Sequence, residues 1–331
     1  MILQKKRQEI LDNLPPKLRE TLDWKKLDQE VSTTITQKQP RIYQIELTSK
    51  CNFKCTFCPR TQDLVKNRVR DLTIEMSFKQ FKIVLDKMPW LKSLELFMFG
   101  EPFLQKDLPK CIAECTKRDI STVIASNLML ATPERVDEVF EAGLDYLVMD
   151  IDSLDEKKYL KYRVGGNFEL LQERVKYILA HPKRPYCIVQ TISLDKEKEY
   201  TEEEFLEWTG GLKPDIITYK FLDTFRGLIL DKGEFKGICK DPFYGFSIHA
   251  DGNIVPCDKD WSGINVMGNI FKDDVMEVWH SKKYKNFRKQ MLSKNHKPPM
   301  CRKCVEGGLI NFRSQLRVQV NMLRGKFIDN K

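Results

Sequence analysis

The chain has 331 residues, 56 Lys and Arg against 47 Asp and Glu, a net charge of +9 and ten Cys. That length supports a sizeable core in one large or two smaller domains, and no segment is long and apolar enough to read as a membrane-spanning helix. With no secretory signal, the thiols belong to a reducing cytosol as metal ligands or core residues rather than disulfides, and the cytoplasm is the expected location.

Residues 1–40 read as a charged, amphipathic helical arm. From residue 41 to 232, strand and helix patterns alternate. Strands are expected at 42–47, 93–99, 121–125, 146–151, 187–194 and 216–221, with helices at 77–87, 108–117, 133–142, 168–179 and 202–208 between them. Ser77 and Thr132 have the chemistry of N-caps, Pro133 fits a first helical position, and Gly143 fits a C-cap. Six strand–helix repeats predict an α/β fold: a parallel sheet closed or nearly closed into a partial (β/α)6 barrel, with its site at the strands' C-terminal ends. Basic and acidic residues are interleaved along stretches such as 195–207, which reads as solvated surface and argues against nucleic acid as a partner. An acidic substrate or partner stays open.

The pattern changes over 233–331, which is expected to form a small separate domain. Residues 245–256 read as a hairpin turning at Asp251-Gly252. Short helices are expected at 273–280 and 282–292, and a C-terminal helix at 309–323. Periodic apolar segments are few here and Cys are many, so this region needs a metal to hold it together.

The loop leaving the first strand contains Cys51-Asn52-Phe53-Lys54-Cys55-Thr56-Phe57-Cys58. Three thiolates this close can wrap one metal centre, but tetrahedral zinc and a complete iron–sulfur cluster each want four ligands. Three thiolates on a cubane cluster would leave one iron open to bind and activate a small molecule. A zinc site completed elsewhere in the chain is the plainer alternative. The spacing C-x3-C-x2-C, with aromatic Phe57 beside the last Cys, resembles the signature of the radical S-adenosylmethionine (SAM) superfamily.

That resemblance extends over about residues 40–325, and implies roles for polar groups at successive strand ends. Gly100-Glu101-Pro102 matches the motif that holds the amino group of SAM, although Phe99 replaces a second glycine. Ser126 and Asn127 match the polar pair near the ribose. Asp150 and Asp152, with Ser153, end the fourth strand, where relatives contact the ribose. Arg163, expected in the next helix, matches an Arg that meets the SAM carboxylate.

Cys239, Cys257, Cys301 and Cys304 form a second constellation: C-x12-G-x4-C, a gap, then C-x2-C. Four thiolates would suit zinc equally well. Beside the first motif, the spacing resembles the twitch extension, a shortened SPASM domain. The resemblance implies one auxiliary 4Fe–4S cluster with all irons ligated, hence two 4Fe–4S clusters with SAM.

The remaining polar inventory is thin. No two of the four His stand at ligand spacing, and no nucleophilic triad or phosphate loop is evident. Cys111 and Cys115 read as core residues on one helix face. Cys187 reads as a buried strand thiol, with a sharper alternative as the hydrogen-atom donor that an epimerase requires.

The resemblance implies an enzyme that uses a 5′-deoxyadenosyl radical to take hydrogen from an unactivated C–H bond. Oxidation, crosslinking or cleavage of a natural-product precursor would follow, with ribosomally made peptides slightly favoured over a sugar or cyclitol substrate of a dehydrogenase or epimerase. A metal-binding scaffold is the non-enzyme alternative. The first 40 residues are too few for a leader-recognition domain, so a separate small recognition protein is a candidate partner. An electron donor such as flavodoxin or ferredoxin is another.

Overall fold

The computed structural model describes residues 36, 38–66, 70–193, 199–221, 239, 241–293 and 296–304. Six of its strands follow the expected order: β1 (Arg41–Ile45), β2 (Ser93–Glu95), β3 (Ser121–Ser126), β4 (Tyr146–Asp150), β5 (Tyr186–Ser193) and β6 (Ile216–Phe221). Strands β2 to β6 form one parallel five-stranded sheet in sequence order. The fold is thus α/β, with an open parallel sheet of the partial-barrel kind.

Helices pack on one face of this sheet for reasons visible in their sequences. Helix α2 (Phe78–Lys87) follows α1 (Pro59–Lys66) and opens on a capping box between Ser77 and Gln80, burying Phe81, Val84 and Leu85. Helix α3 (Leu108–Lys117) buries Leu108, Cys111, Ile112 and Cys115. Helix α4 (Pro133–Glu141) is capped by the Thr132 side chain and buries Val136, Val139 and Phe140. It ends at Gly143, whose φ of +92° suits a residue without Cβ. After α5 (Glu156–Tyr162), α6 (Phe168–Ala180) buries Leu171, Val175, Ile178 and Leu179. Helix α7 (Glu202–Thr209) opens on a second capping box, Thr201 with Glu204.

The sheet's two faces carry separate apolar clusters. Ile124, Leu147, Cys187 and Val189 join the large helix-facing core. Phe97, Ala125, Val148 and Ile188 form a second cluster on the other face, flanked by Tyr146 and Tyr186. Alternation along each strand makes this sorting unavoidable.

Four features differ from expectation. First, β1 is hydrogen-bonded not into the five-stranded sheet but in parallel to β7 (Gly245–Ile248), which continues to β8 (Asn253–Val255) and β9 (Gly268–Asn269). The hairpin expected in a separate C-terminal domain therefore extends the barrel's first strand. Second, β2 stops at Glu95 rather than residue 99, because the chain leaves the ladder to bring Gly100 against the β1 loop. Third, α1 and α5 have little apolar pattern; Tyr159 is the buried residue of α5. Fourth, Arg163 is the C-cap of α5, not a residue within a helix.

The hairpin turns where Asp251-Gly252 predicts: Gly252 has φ +84°, and a Cβ there would lie 2.4 Å from the Phe271 ring. After the short helix α8 (Asp241–Tyr244) and this hairpin come α9 (Val275–His280) and α10 (Lys282–Leu292). The helix expected at 309–323 and nearly all of the 1–40 arm lie outside the described residues.

Candidate active site

The cysteine loop is held in place by backbone bonds on both sides. Lys54 N donates to Val164 O at 2.8 Å and Thr56 N donates to Tyr162 O at 3.0 Å, tying the loop to the end of α5. Glu101 N donates to Lys50 O at 2.8 Å. A Cβ on Gly100 would lie 1.9 Å from Thr48 O, so only glycine lets these two segments meet. Cys58 N closes a turn onto Cys55 O at 3.1 Å, and α1 starts one residue later.

Cys51, Cys55 and Cys58 line one cavity at the C-terminal ends of the strands, together with Phe57, Gly100, Glu101, Asn127, Asp150, Arg163 and Gln190. Its floor comes from the sheet face that carries Phe97 and Ala125. Burial, then the Glu101 charge, pushes the Cys51 thiol up to about 12. Burial pushes Cys55 to about 11 against the pull of Arg163, and burial also raises Cys58. Thiols in such surroundings become thiolates only when a positively charged centre shares the charge. Three thiols on one loop, Cys55 buried and Cys51 and Cys58 partly so, with no fourth among the described lining residues, are a donor set that fits a cluster with one open iron.

Glu101 is buried and accepts three hydrogen bonds: Ser126 Oγ at 2.7 Å and Phe103 N at 3.1 Å on Oε1, and Asn127 N at 3.0 Å on Oε2. Burial nevertheless raises its pKa to about 7, the hydrogen bonds pulling the other way. This carboxyl is fixed in orientation, and Arg163 is the basic residue among the described lining residues. Arg163 is also buried. Its Nε donates to Asp152 Oδ2 at 2.5 Å, its Nη1 reaches Cys55 Sγ at 3.8 Å, and its Cζ lies 5.1 Å from the Phe57 ring centroid. Burial opposes the guanidinium charge, but the charges of Asp152, Cys55 and Asp150 and the hydrogen bond to Asp152 together offset it, raising the pKa. A carboxylate and a guanidinium in one cavity complement the ammonium and carboxylate of SAM.

The other expected site residues have distinct places. Asn127 lines the cavity and its Nδ2 donates to Asn52 Oδ1 at 3.0 Å. Ser126 lies behind it, donating to Glu101 and accepting from Leu128 N at 2.9 Å. Asp150 lines the cavity and accepts from Gln190 Nε2 at 2.8 Å. Asp152 is turned to Arg163 and to Ile192 N, 3.0 Å away, rather than to the cavity. Pro102 starts a 3-10 turn over Pro102–Leu104, capped by Glu101.

Cys187 is placed elsewhere. It pairs with Leu147 in register, belongs to the helix-facing core, and its Sγ donates to Pro185 O at 3.4 Å. The cavity takes Gln190 and Ile192 from the far end and opposite side of β5. A donor thiol for a substrate radical would have to face that cavity, so this geometry opposes the epimerase role for Cys187.

One polar cavity residue escapes the sequence reading. Gln190 is a polar break in the apolar run of β5, a signal that central parallel strands rarely show. Asn52, exposed beside the cavity, holds Asn127 in place and offers no sequence signal beyond its polarity.

The second thiol set gathers at the end of the hairpin. Cys257 follows β8, Cys301 ends a 3-10 turn over Pro299–Cys301, and Cys304 N returns to Cys301 O at 3.4 Å. After burial and Asp241, the charges of Cys257 and Cys304 raise the Cys239 thiol. Cys257 is raised by burial first, then Asp258, with Cys301 and Cys304 contributing. Cys257 thus lies within electrostatic reach of Cys301 and Cys304, and Cys239 within reach of Cys257 and Cys304.

Family models match the chain in two consecutive blocks. The radical SAM superfamily model covers residues 45–209, and the SPASM iron–sulfur cluster-binding domain covers residues 239–305. The chain belongs to the radical SAM superfamily and carries a SPASM-type region. Membership implies SAM and iron–sulfur clusters as cofactors. The chain is 24% identical to the S-adenosyl-L-methionine-dependent 2-deoxy-scyllo-inosamine dehydrogenase of Niallia circulans, over 79% of this chain and 91% of that protein. It is 23% identical to the tungsten-containing aldehyde ferredoxin oxidoreductase cofactor-modifying protein of Pyrococcus furiosus, over 78% and 86%. At the level of fold it is similar to BtrN in complex with AdoMet and 2-DOIA (TM-score 0.54, 19% identity, 82% of this chain and 94% of that one). It is likewise similar to Streptococcus suis SuiB bound to the precursor peptide SuiA (TM-score 0.60, 16% identity, 79% and 69%). Among the described residues, no helix is long and apolar enough to cross a membrane.

Proposed function

We propose that this protein binds SAM against a cluster on Cys51, Cys55 and Cys58 and abstracts hydrogen from an unactivated C–H bond of a natural-product precursor, as a net oxidation or cleavage. The observation that carries this reading is the convergence of three thiols, Glu101 and Arg163 on one cavity. When bound, SAM and this cluster supply a 5′-deoxyadenosyl radical, and a second 4Fe–4S cluster on Cys239, Cys257, Cys301 and Cys304 supplies a one-electron acceptor or donor.

The chain's own residues bind, orient and exclude water. Glu101, held by Ser126 and two backbone amides, receives the ammonium group. Arg163, braced by Asp152 and stacked toward Phe57, receives the carboxylate. Asn127, Asp150 and Gln190 offer hydrogen bonds to the ribose hydroxyls and to polar groups of the substrate. Phe97 and Ala125 make the floor apolar, which keeps water from the reacting bond.

A peptide substrate agrees with the fold-level likeness to SuiB, and a separate leader-recognition protein would then be a partner. The second reading is a small cyclitol or sugar, favoured by the match to nearly the whole dehydrogenase from Niallia circulans. The test is anaerobic reconstitution, reduction and chromatography of SAM products. Formation of 5′-deoxyadenosine is expected, and its yield should rise with the true substrate, so an aminocyclitol and candidate precursor peptides are compared directly. Intact SAM under reducing conditions, in protein loaded with iron, would sink the enzyme reading.

A further inference from the structure

The chain's positive charge is concentrated rather than spread. Between Glu277 and Glu306 there is no Asp or Glu, yet the stretch holds nine Lys and Arg. Nine is also the net charge of the whole chain, so everything outside the stretch balances to zero.

Part of this charge is structural. Arg288 is buried between the rings of Trp279 and Tyr284, at 3.9 and 4.0 Å from their centroids, and donates to Pro242 O at 2.7 Å and Trp279 O at 2.8 Å. Lys297 is buried too. Its Nζ donates to Met291 O at 3.3 Å and Ser293 O at 3.1 Å, at the C-terminal end of α10, where the helix dipole favours a cation.

Lys282, Lys283, Lys285 and Lys289 are different. All four are exposed on α10, and none ion-pairs with an acid among the described residues. Lys282 and Lys283 occupy the first helical turn, where the dipole disfavours cations, and Lys285 and Lys289 repel each other at i,i+4 spacing. The ordinary arrangement is seen in α7, whose first turn holds Glu202, Glu203 and Glu204. A merely solvated face would interleave the two signs. This one works against its own helix.

The same stretch carries two of the auxiliary thiols, with exposed Arg302 between Cys301 and Cys304. The inner side of α10 faces the thiol set: Tyr284 Oη donates to Gly245 O at 3.0 Å and lies within electrostatic reach of Cys257 and Cys239. An anionic protein bound at α10 and Arg302 would therefore touch the segment that carries Cys301 and Cys304. Electrostatic complementarity of this kind steers encounter and sets its salt dependence.

We propose that the lysine face of α10, with Arg302, docks an acidic one-electron carrier protein and is the port through which the auxiliary centre exchanges electrons. In the delivering direction one electron leaves the carrier, which is oxidised, and enters the auxiliary cluster, which is reduced; no bond forms or breaks. The inference rests on the reading of Cys239, Cys257, Cys301 and Cys304 as cluster ligands.

The test uses the full chain, reconstituted without oxygen, and a purified acidic flavodoxin as probe. Binding is measured by calorimetry across a salt series, for wild type, for Lys282→Glu/Lys283→Glu/Lys285→Glu/Lys289→Glu, and for a control reversing the exposed Lys92, Lys106, Lys117 and Lys157. Wild type and control should bind alike and weaken as salt rises, while the α10 variant binds at least tenfold more weakly. Its iron content should match wild type, and its reduction by the cationic methyl viologen radical should not slow. Equal weakening in both variants would mean that net charge alone drives binding, and would overturn the proposal. So would binding of single-stranded RNA or a polyglutamate peptide at this face with none of flavodoxin. Iron analysis of wild type reports separately on the cluster reading: iron for one cluster would remove the electron port even if docking were observed.

Discussion

Cys51, Cys55 and Cys58 come from eight consecutive residues, whereas Cys239, Cys257, Cys301 and Cys304 come from three segments spread over 66 residues. The first set sits on a scaffold that forms without it: the strand ends, the Gly100 contact and the backbone bonds to Tyr162 and Val164 position the loop. The second set must close long loops, and each closure costs chain entropy that no local hydrogen bond returns. A metal centre binding four such thiols contributes directly to folding. The difference separates two tasks. A preorganised loop presents an open coordination position to a ligand, and a distant set works as a cross-link that can also carry charge.

The sharpest way to break that comparison is to delete each set. Replacing Cys51, Cys55 and Cys58 together with Ala should remove about half of the iron and abolish SAM cleavage. The thermal unfolding of the protein should change little, because the loop's backbone bonds persist. Replacing Cys301 and Cys304 with Ala should remove the other half. It should also expose the region after β7 to proteolysis while SAM still binds. If both variants lose the same stability, the cross-link role is wrong. Stoichiometric zinc in protein prepared without oxygen would remove the two-cluster assignment itself.

Much of this contrast was legible in the sequence because its signals are local. Cys spacing, strand alternation and caps such as Ser77, Thr132 and Gly143 depend on neighbours only, and the structure shows those elements. What was not legible depends on pairing across the chain. Parallel pairing of β1 with β7 joins residues about two hundred positions apart, and no local pattern announces it. The tie is reinforced by Glu46, which accepts from Ala250 N at 3.2 Å and from Arg70. The family resemblance implies cofactor contacts for Ser126 and Asp152. Their bonds to Glu101 and Arg163 could be known only once side-chain directions were fixed.

Within the first site the expected effects are smaller. Glu101→Gln or Arg163→Gln should weaken SAM binding by a few kcal/mol while iron content stays at the wild-type level. Unchanged affinity in both variants would show that the cavity binds SAM by other groups. The wild-type affinity should also depend on pH. Burial raises the Glu101 pKa from 4.5 to about 7, so the carboxylate needed for an ammonium ligand is lost as pH falls through about 7. The sign for folding is opposite. Between pH 4.5 and about 7 the unfolded carboxyl holds fewer protons than the folded one, so this group costs stability as pH rises through that window. Titration of SAM affinity from pH 8 to 6 should show a fall that Glu101→Gln lacks.

The smallest effect is expected at Cys187, although it is fully buried. Its thiol fills space between the sheet and the helices, and burial pushes it up to about 11, so it is neither a thiolate nor a neighbour of the cavity. Cys187→Ala removes one sulfur from a packed layer, a loss of about 1 kcal/mol in stability. Both clusters, SAM cleavage and substrate turnover should remain near wild type. A hydrogen donor would behave differently, because an epimerase must return hydrogen to the opposite face of its substrate radical. Assays in deuterated water with the true substrate separate the two cases. If wild type places solvent deuterium at carbon while Cys187→Ala consumes SAM without forming product, Cys187 is the donor. The β5 register that turns it toward the helices would then be wrong.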